Sequence, residues 1–366
     1  MGFSCGIVGL PNVGKSTLFN ALAASAQAQA ANYPFTTIEP HIGRIAVPDA
    51  RPAEVARLAG SARTVPTHLD FVDIAGLVRG ASRGEGLGNA FLGHIREVDA
   101  IAHVLRCFDA ADVSHVEGAV DPVRDAEVVE TELILADLES LSRRADALAR
   151  RVHGGDPEAT AEHSVIEPLL EALDGGKPAR GVAPEPEREA VRKRLHLLTD
   201  KPVLYVANLD EDAAATGNAL SEAVAALARA RGAEHVVISA TIEAEIAMLD
   251  DAAERAEFLA SLGLEESGLD RFIRAGYALL DLITFFTANE NEAHAWTVRK
   301  GARAAEAAGV VHSDFERGFI AAETIAFDDL AACGGEQAAR DAGKMRLEGR
   351  DFVVRDGDVL RFRFNV

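Results

Sequence analysis

The sequence predicts an α/β fold: a doubly wound, mainly parallel sheet, interrupted by an inserted helical arm and followed by a smaller mixed module. Three observations carry this reading. Short apolar runs, each closed by a turn motif, stand at Cys5–Val8, Leu69–Ile74, Pro202–Ala207 and His235–Ile238, as buried strands do. From Ile134 the apolar positions instead step by four and three, through Leu138, Leu141, Ala145, Leu148 and Val152, the seam of a long amphipathic helix. Beyond Leu282 the pattern turns to hairpins. The first domain is accordingly placed at 1–278, with its helical insertion at about 125–198, and the second at 279–366.

The first element is a strand running into Gly9-Leu10-Pro11-Asn12-Val13-Gly14-Lys15-Ser16, a complete G-x-x-x-x-G-K-S loop, and then into the helical spacing of Thr17–Leu22. Strand, glycine loop and helix together cradle phosphates. Backbone N–H groups across Gly9, Asn12, Val13, Gly14, Lys15, Ser16 and Thr17 point at the anion, and the helix dipole favours its charge. The Lys15 ammonium reaches the outer phosphates as a catalytic group, and the Ser16 hydroxyl ligates Mg²⁺. The implied ligand is a nucleoside triphosphate.

The next strand, Leu69–Ile74, ends in Asp73-Ile74-Ala75-Gly76. Asp73 stands where a second carboxylate on the Mg²⁺ side belongs, and the Gly76 N–H where the γ-phosphate is sensed. Between the two motifs, Tyr33–Pro40 offers two hydroxyls to the metal, with Thr37 preferred and Thr36 as the alternate. Leu77 occupies a position where many GTPases carry a water-orienting glutamine. Leucine cannot hydrogen-bond water, so hydrolysis is slow or uses another group. The glycine-rich Gly80–Asn89 stretch reads as a switch loop.

After the strand Pro202–Ala207 comes Asn208-Leu209-Asp210-Glu211, where a guanine reader carries N-K-x-D. The Lys position is Leu209 and the Asp position is Glu211. Adenine has an acceptor at N1 and no 2-amino donor, so it offers nothing to a guanine-reading carboxylate. The departure favours ATP, with Asn208 on the N7 edge and backbone carbonyls near Leu209 and Ser239 accepting from the adenine amino group.

Composition bounds the class. Over 366 residues, 48% are apolar, enough for two or three cores, yet no run reaches the roughly 20 apolar residues of a membrane span. Met1–Ser4 leads straight into the first strand, so no signal peptide is expected. Cys5, Cys107 and Cys333 lack metal-ligand spacing and read as reduced thiols of the cytoplasm. A net charge of −21 argues against indiscriminate nucleic-acid binding; no DNA and no membrane partner is expected.

GLPNVGKST, PFTTIEP, FVDIAGLVRGASRGEGLGNAFL, HVLRCF and the departed N-x-x-E together resemble the YchF-type Obg-like ATPases, along nearly the whole chain. The resemblance implies ATP hydrolysis, association with the ribosome or its large subunit, and a regulatory role in translation or stress. It also implies that the missing glutamine's task falls to a histidine after the HVLRCF strand, here His115. His94 and His103 are other nearby histidines. Two alternatives stay open: an Obg-like GTPase of ribosome assembly, and a binding module gated by ATP with negligible turnover.

Within the insertion, Gly154–Pro157 breaks the long helix, a second helix runs through Val165, Leu169 and Leu173, and a third begins near Pro186 with Val191, Leu195 and Leu198. Arg143, Arg144, Arg150 and Arg151 on the first helix, and Arg188, Arg192, Lys193 and Arg194 on the third, make a candidate RNA- or protein-facing arm. In the last module, Leu282–Phe286 and His294–Val298 read as a hairpin, Phe315–Ile320 as helical, and Phe352–Val354 with Val359–Phe364 as strands about a D-G turn. This module resembles the TGS domain, a β-grasp fold, and reads as a docking module for the ribosome.

Overall fold

The computed structural model describes residues 3–30, 42–74, 87–109, 119–183, 185–249 and 251–365, with backbone alone for 27–30 and 87–90. Its strands are β1 (Ser4–Val8), β2 (Ile42–Ala46), β3 (Arg63–Val65), β4 (His68–Asp73), β5 (Ala100–Arg106), β6 (Val203–Asn208), β7 (Glu234–Ile238), β8 (Leu282–Ala288), β9 (Glu292–Arg299), β10 (Phe319–Ala326), β11 (Arg346–Glu348) and β12 (Asp358–Phe364). They form two six-stranded sheets, in the orders β2-β4-β1-β5-β6-β7 and β11-β10-β12-β8-β9-β3.

The first sheet is the α/β body. All its neighbours are parallel except β2 with β4. Every residue of β5 and β6 is buried, as expected of parallel strands covered by helices on both faces. The Lys15–Ala30 helix contributes Leu18 and Leu22 to this core, and the Gly268–Leu279 helix contributes Phe272, whose ring lies 4.8 Å from that of Phe71. Registers Ile7↔Asp73, Val8↔His103 and Arg106↔Asn208↔Ile238 bring the carboxyl ends of five strands to one edge. In open α/β sheets that edge holds the ligand.

The insertion leaves this sheet as the helices Pro122–His153 and Pro157–Asp174. Each is capped by an aspartate and has proline in its first turn: Asp121 accepts from Arg124 N (3.1 Å), and Asp156 from Glu158 N (3.0 Å). All six seam positions pack in a core of their own with Ile166, Leu169 and Leu173. At its base, the buried Asp137 carboxylate accepts from Leu198 N (3.0 Å), Thr199 N (2.8 Å) and Thr199 Oγ1 (2.8 Å).

The third helix does not extend as its apolar spacing predicts. Only Pro186–Arg188 and Glu189–Lys193 are helical, in short turns. The Arg192 guanidinium is drawn back onto Asp200 (2.6 Å) and the carbonyls of Ala179 and Val182 (2.7 Å each), and His196 takes φ 49°, so the chain turns into β6 instead. Many basic side chains of the arm face acids: Arg143 with Glu139, Arg144 with Glu162, Arg151 with Asp156, Arg188 with Glu185 and Lys193 with Glu189.

The second sheet departs further from the sequence reading. β8 and β9 do form the hairpin. Phe319–Ala326, however, is a strand, and of the expected Phe315–Ile320 helix only the part up to Arg317 is helical. At the junction a Cβ on Gly318 would stand 2.2 Å from the Asn365 carbonyl oxygen, so the helix-to-strand turn closes against the chain end. Phe352–Val354 is no hairpin partner of β12 and contributes one bridge, Arg303↔Val353. Both edges of β12 are already taken, by β10 antiparallel and β8 parallel.

One edge of this sheet comes from far upstream. β3 pairs in parallel with β9, from Arg63↔Glu292 to Val65↔His294. The Arg51–Ala59 helix places Val55 and Ala56 in a core with Phe286, Ala293, Ala295, Ile325 and Leu330. A single cut at residue 278 therefore removes part of the second sheet's own core.

Candidate nucleotide-binding site

The glycine loop leaves β1 at the crowded centre of the first sheet. A Cβ on Gly9 would stand 2.5 Å from the Val104 carbonyl oxygen, and one on Gly14 2.2 Å from Asn208 Nδ2. Gly14 also takes φ +95°, a conformation that glycine alone adopts without strain. Asn12, at φ 63°, is among the few side chains that tolerate the left-handed region. Sequence here dictates the backbone shape of the loop.

Lys15 is 7% exposed, and its Nζ donates to the Leu10 carbonyl at 2.8 Å. Burial lowers its pKa to about 8, against the charge of Asp73, which raises it. Asp73 sits level with Ile7, and Ile74 N extends the pairing to the Ile7 carbonyl (3.2 Å). The carboxylate and the ammonium are thus held at the same edge. Ser16 and Thr17 are exposed in the first turn of the Lys15–Ala30 helix. A hydroxyl and a carboxylate are hard oxygen donors, the set that suits Mg²⁺ beside phosphate oxygens. Among the described residues no cluster of three His, Cys, Asp or Glu side chains could hold a metal by itself. Thr36, Thr37, Gly76, Leu77 and His115 lie outside the described residues.

Beside the loop opens a cleft lined by Gly14, Thr17, Phe108, Asn208, Leu209 and Glu211. Asn208 is buried and ties the cleft together: its Nδ2 donates to the Val13 carbonyl (2.9 Å), and its Oδ1 accepts from Ala240 N (2.9 Å). An amide has two N–H donors, so one remains for a purine N7. Leu209 is buried, with its N–H given to the Ile238 carbonyl (2.8 Å). Glu211 is exposed at the cleft mouth. The Ser239 hydroxyl is buried without a hydrogen-bond partner, a polar group left unspent next to the cleft.

Sequence reasoning missed the opposite wall. Phe108 and Asp109 line the cleft, and Arg106, 1% exposed, lies 4.7 Å from the Phe108 ring centroid while its Nε donates to the Phe108 carbonyl (3.1 Å). Their position just beyond the carboxyl end of a central strand was the available signal. Of the other histidines, His94 is exposed. His103 is buried, its pKa pushed down to about 3 by burial and by the charges of Arg231, Lys15 and Arg180. It therefore stays neutral inside the sheet.

A glycine loop closing on a buried lysine, an aspartate at the end of the neighbouring strand, and an open cleft beyond define a P-loop nucleoside triphosphate-binding domain. A family model described as a 50S ribosome-binding GTPase matches residues 4–137, and a YchF GTPase C-terminal model, described as a protein of unknown function, matches residues 282–365. The "Ribosome-binding ATPase YchF" of Bacillus subtilis (strain 168) is 52% identical over 100% of both chains, and that of Escherichia coli O157:H7 is 51% identical over the same shares. The "Obg-like ATPase 1" of Rattus norvegicus is 42% identical, covering 98% of this chain and 92% of its own. The solved structure of the Schizosaccharomyces pombe YchF GTPase superposes with a TM-score of 0.88 at 37% identity, over 99% of this chain and 98% of that one. The chain belongs to the YchF family.

Proposed function

We propose that the protein is an ATPase whose nucleotide state governs its docking on the ribosome. The bacterial relatives are named as ribosome-binding ATPases, which supports the activity and the partner; the control of docking by nucleotide state is the proposal. The observation that carries the ATP preference is the Asn208–Glu211 turn, where Leu209 replaces the guanine reader's lysine, buried with its N–H on the Ile238 carbonyl, while Glu211 stands exposed at the mouth.

The loop N–H groups and Lys15 bind and orient the outer phosphates, and Asn208 with Phe108 holds the purine. Ser16, Asp73 and Thr37, with Thr36 as alternate, would hold Mg²⁺, which would supply charge neutralisation on the outer phosphates. Gly76 senses the γ-phosphate. His115 orients the attacking water in place of a glutamine, by hydrogen bonding near neutral pH. Chemistry is in-line transfer of the terminal phosphoryl group to water, driven by positioning and charge neutralisation. Docking falls to the helical arm and to the C-terminal sheet, read as a TGS module, against rRNA or a ribosomal protein of the large subunit. No described helix is long and apolar enough to cross a membrane; a cytoplasmic site of action is supported by the ribosome-binding relatives.

Direct competition between ATP and GTP tests the base preference. An unmatched buried polar group costs roughly 1–3 kcal/mol, so ATP should be favoured about tenfold. Tighter GTP than ATP would instead support the Obg-like GTPase, and negligible phosphate release in a single turnover would support the gated binding module. Replacing the water-orienting group should act on turnover alone. His115→Ala is expected to lower kcat by about a hundredfold with ATP affinity unchanged, the pattern of an interaction made in the transition state; a wild-type kcat would remove His115 from the mechanism.

A further inference from the structure

We propose that residues 42–74 mechanically couple the nucleotide site to the second sheet, making the C-terminal half a reader of nucleotide state. The inference rests on the nucleotide assignment above and adds the route. This segment enters from the stretch carrying Thr36 and Thr37 and leaves into the stretch carrying Gly76, the positions assigned to the γ-phosphate and metal. Between them, β2 and β4 pair antiparallel within the first sheet, from Ile42↔Val72 to Ala46↔His68, clasped by Arg44 and Asp70 (2.8 Å).

The connection between those two strands leaves the first sheet and is built into the second. Its helix buries Val55 and Ala56 among Phe286, Ala293 and Ile325, and β3 forms the outer strand. Polar contacts pin both flanks. Arg51 Nη1 bonds Asp356 (2.6 Å), whose other oxygen accepts from Thr284 N (2.9 Å), while Ser61 Oγ bonds the Asn289 carbonyl (2.6 Å). Thr67, immediately before β4, hydrogen-bonds Thr297 of β9, and Tyr277 OH joins Thr297 (3.1 Å) to Thr284 (2.9 Å).

β4 therefore carries Asp73 at one end and an anchor in the second sheet at the other, about 20 Å apart for a strand of this length. Extended pairing cannot slide in small steps, because a one-residue slip turns every side chain to the wrong face. A change in position at the phosphate end is passed to β3 and the Arg51–Ala59 helix, whose packed contacts with β9 switch rather than deform. Linkage makes the effect reciprocal: whatever grips the second sheet changes ATP affinity by the same factor.

Hydrogen exchange on the full chain, with ADP or with a non-hydrolysable ATP analogue plus Mg²⁺, tests this. Exchange in peptides covering 51–65 and 282–299 should differ about fivefold or more between the two nucleotides, with the arm peptides at 157–173 unchanged. In Arg51→Gln and in Thr297→Val the difference should shrink while calorimetry still shows ATP binding. Bound ATP with identical exchange at 282–299 in both states overturns the coupling alone, as does an equal change at 157–173. Failure of ATP to bind the wild type overturns the nucleotide assignment and the coupling with it.

Discussion

Residues 282–365 produced alone should not fold, and the same piece preceded by residues 49–67 through a flexible linker should. The excised piece loses β3, the parallel partner of β9, and the helix that buries Val55 and Ala56 against Phe286, Ala293 and Ala295. Burying one valine contributes ~2 kcal/mol, and an unpaired strand edge invites aggregation. A small domain has only about 5–15 kcal/mol to lose. The chain's single tryptophan, Trp296, lies on β9, stacked on His294 at 3.7 Å with its Nε1 bonded to Thr287 Oγ1 (2.9 Å). Its fluorescence in a urea titration reports on this sheet directly. A cooperative transition in the unsupplemented piece would show that the upstream segment is an accessory and not part of the core.

That dependence explains which parts of the molecule were legible from sequence. The phosphate loop was, because close approaches such as Gly14 to Asn208 admit few residue types and so leave a motif. The arm was, because a seam stepping by four and three has one solution, and all six of its positions pack together. The second sheet was not. β3 finds its partner some 229 residues away, as Arg63 with Glu292 shows, and no local pattern encodes that distance. β10 reads Phe-Ile-Ala-Ala-Glu-Thr-Ile-Ala, whose alanines blur the alternation that marks a strand. β12 chose neighbours on both edges over the adjacent Phe352–Val354. Within the site, Arg106 and Phe108 stood in the HVLRCF segment without an assigned role, because a cation stacked on a ring has no spacing signature.

The ammonium of Lys15 sets the largest expected loss of binding. Lys15→Ala should leave the protein folded and weaken ATP binding at least tenfold, since a charge-assisted contact of this kind is worth roughly 1.5–3 kcal/mol. The wild type should also show a pH dependence that the variant lacks. Burial holds Lys15 at about 8, below its ordinary 10.5, and phosphates bind the protonated form. ATP affinity should therefore fall as pH rises through about 8, by roughly tenfold between pH 7 and 9, with proton uptake on binding in that window. Stability of the nucleotide-free protein moves the other way. From about 8 to 10.5 the unfolded chain binds more protons at this lysine than the folded chain does, so this group makes stability rise with pH there. Calorimetry at pH 7 and 9, in buffers of different ionisation heat, reads affinity and proton uptake together. Equal affinity at both pH values, or an unaltered pH profile in Lys15→Ala, would mean that the lysine does not meet the phosphates.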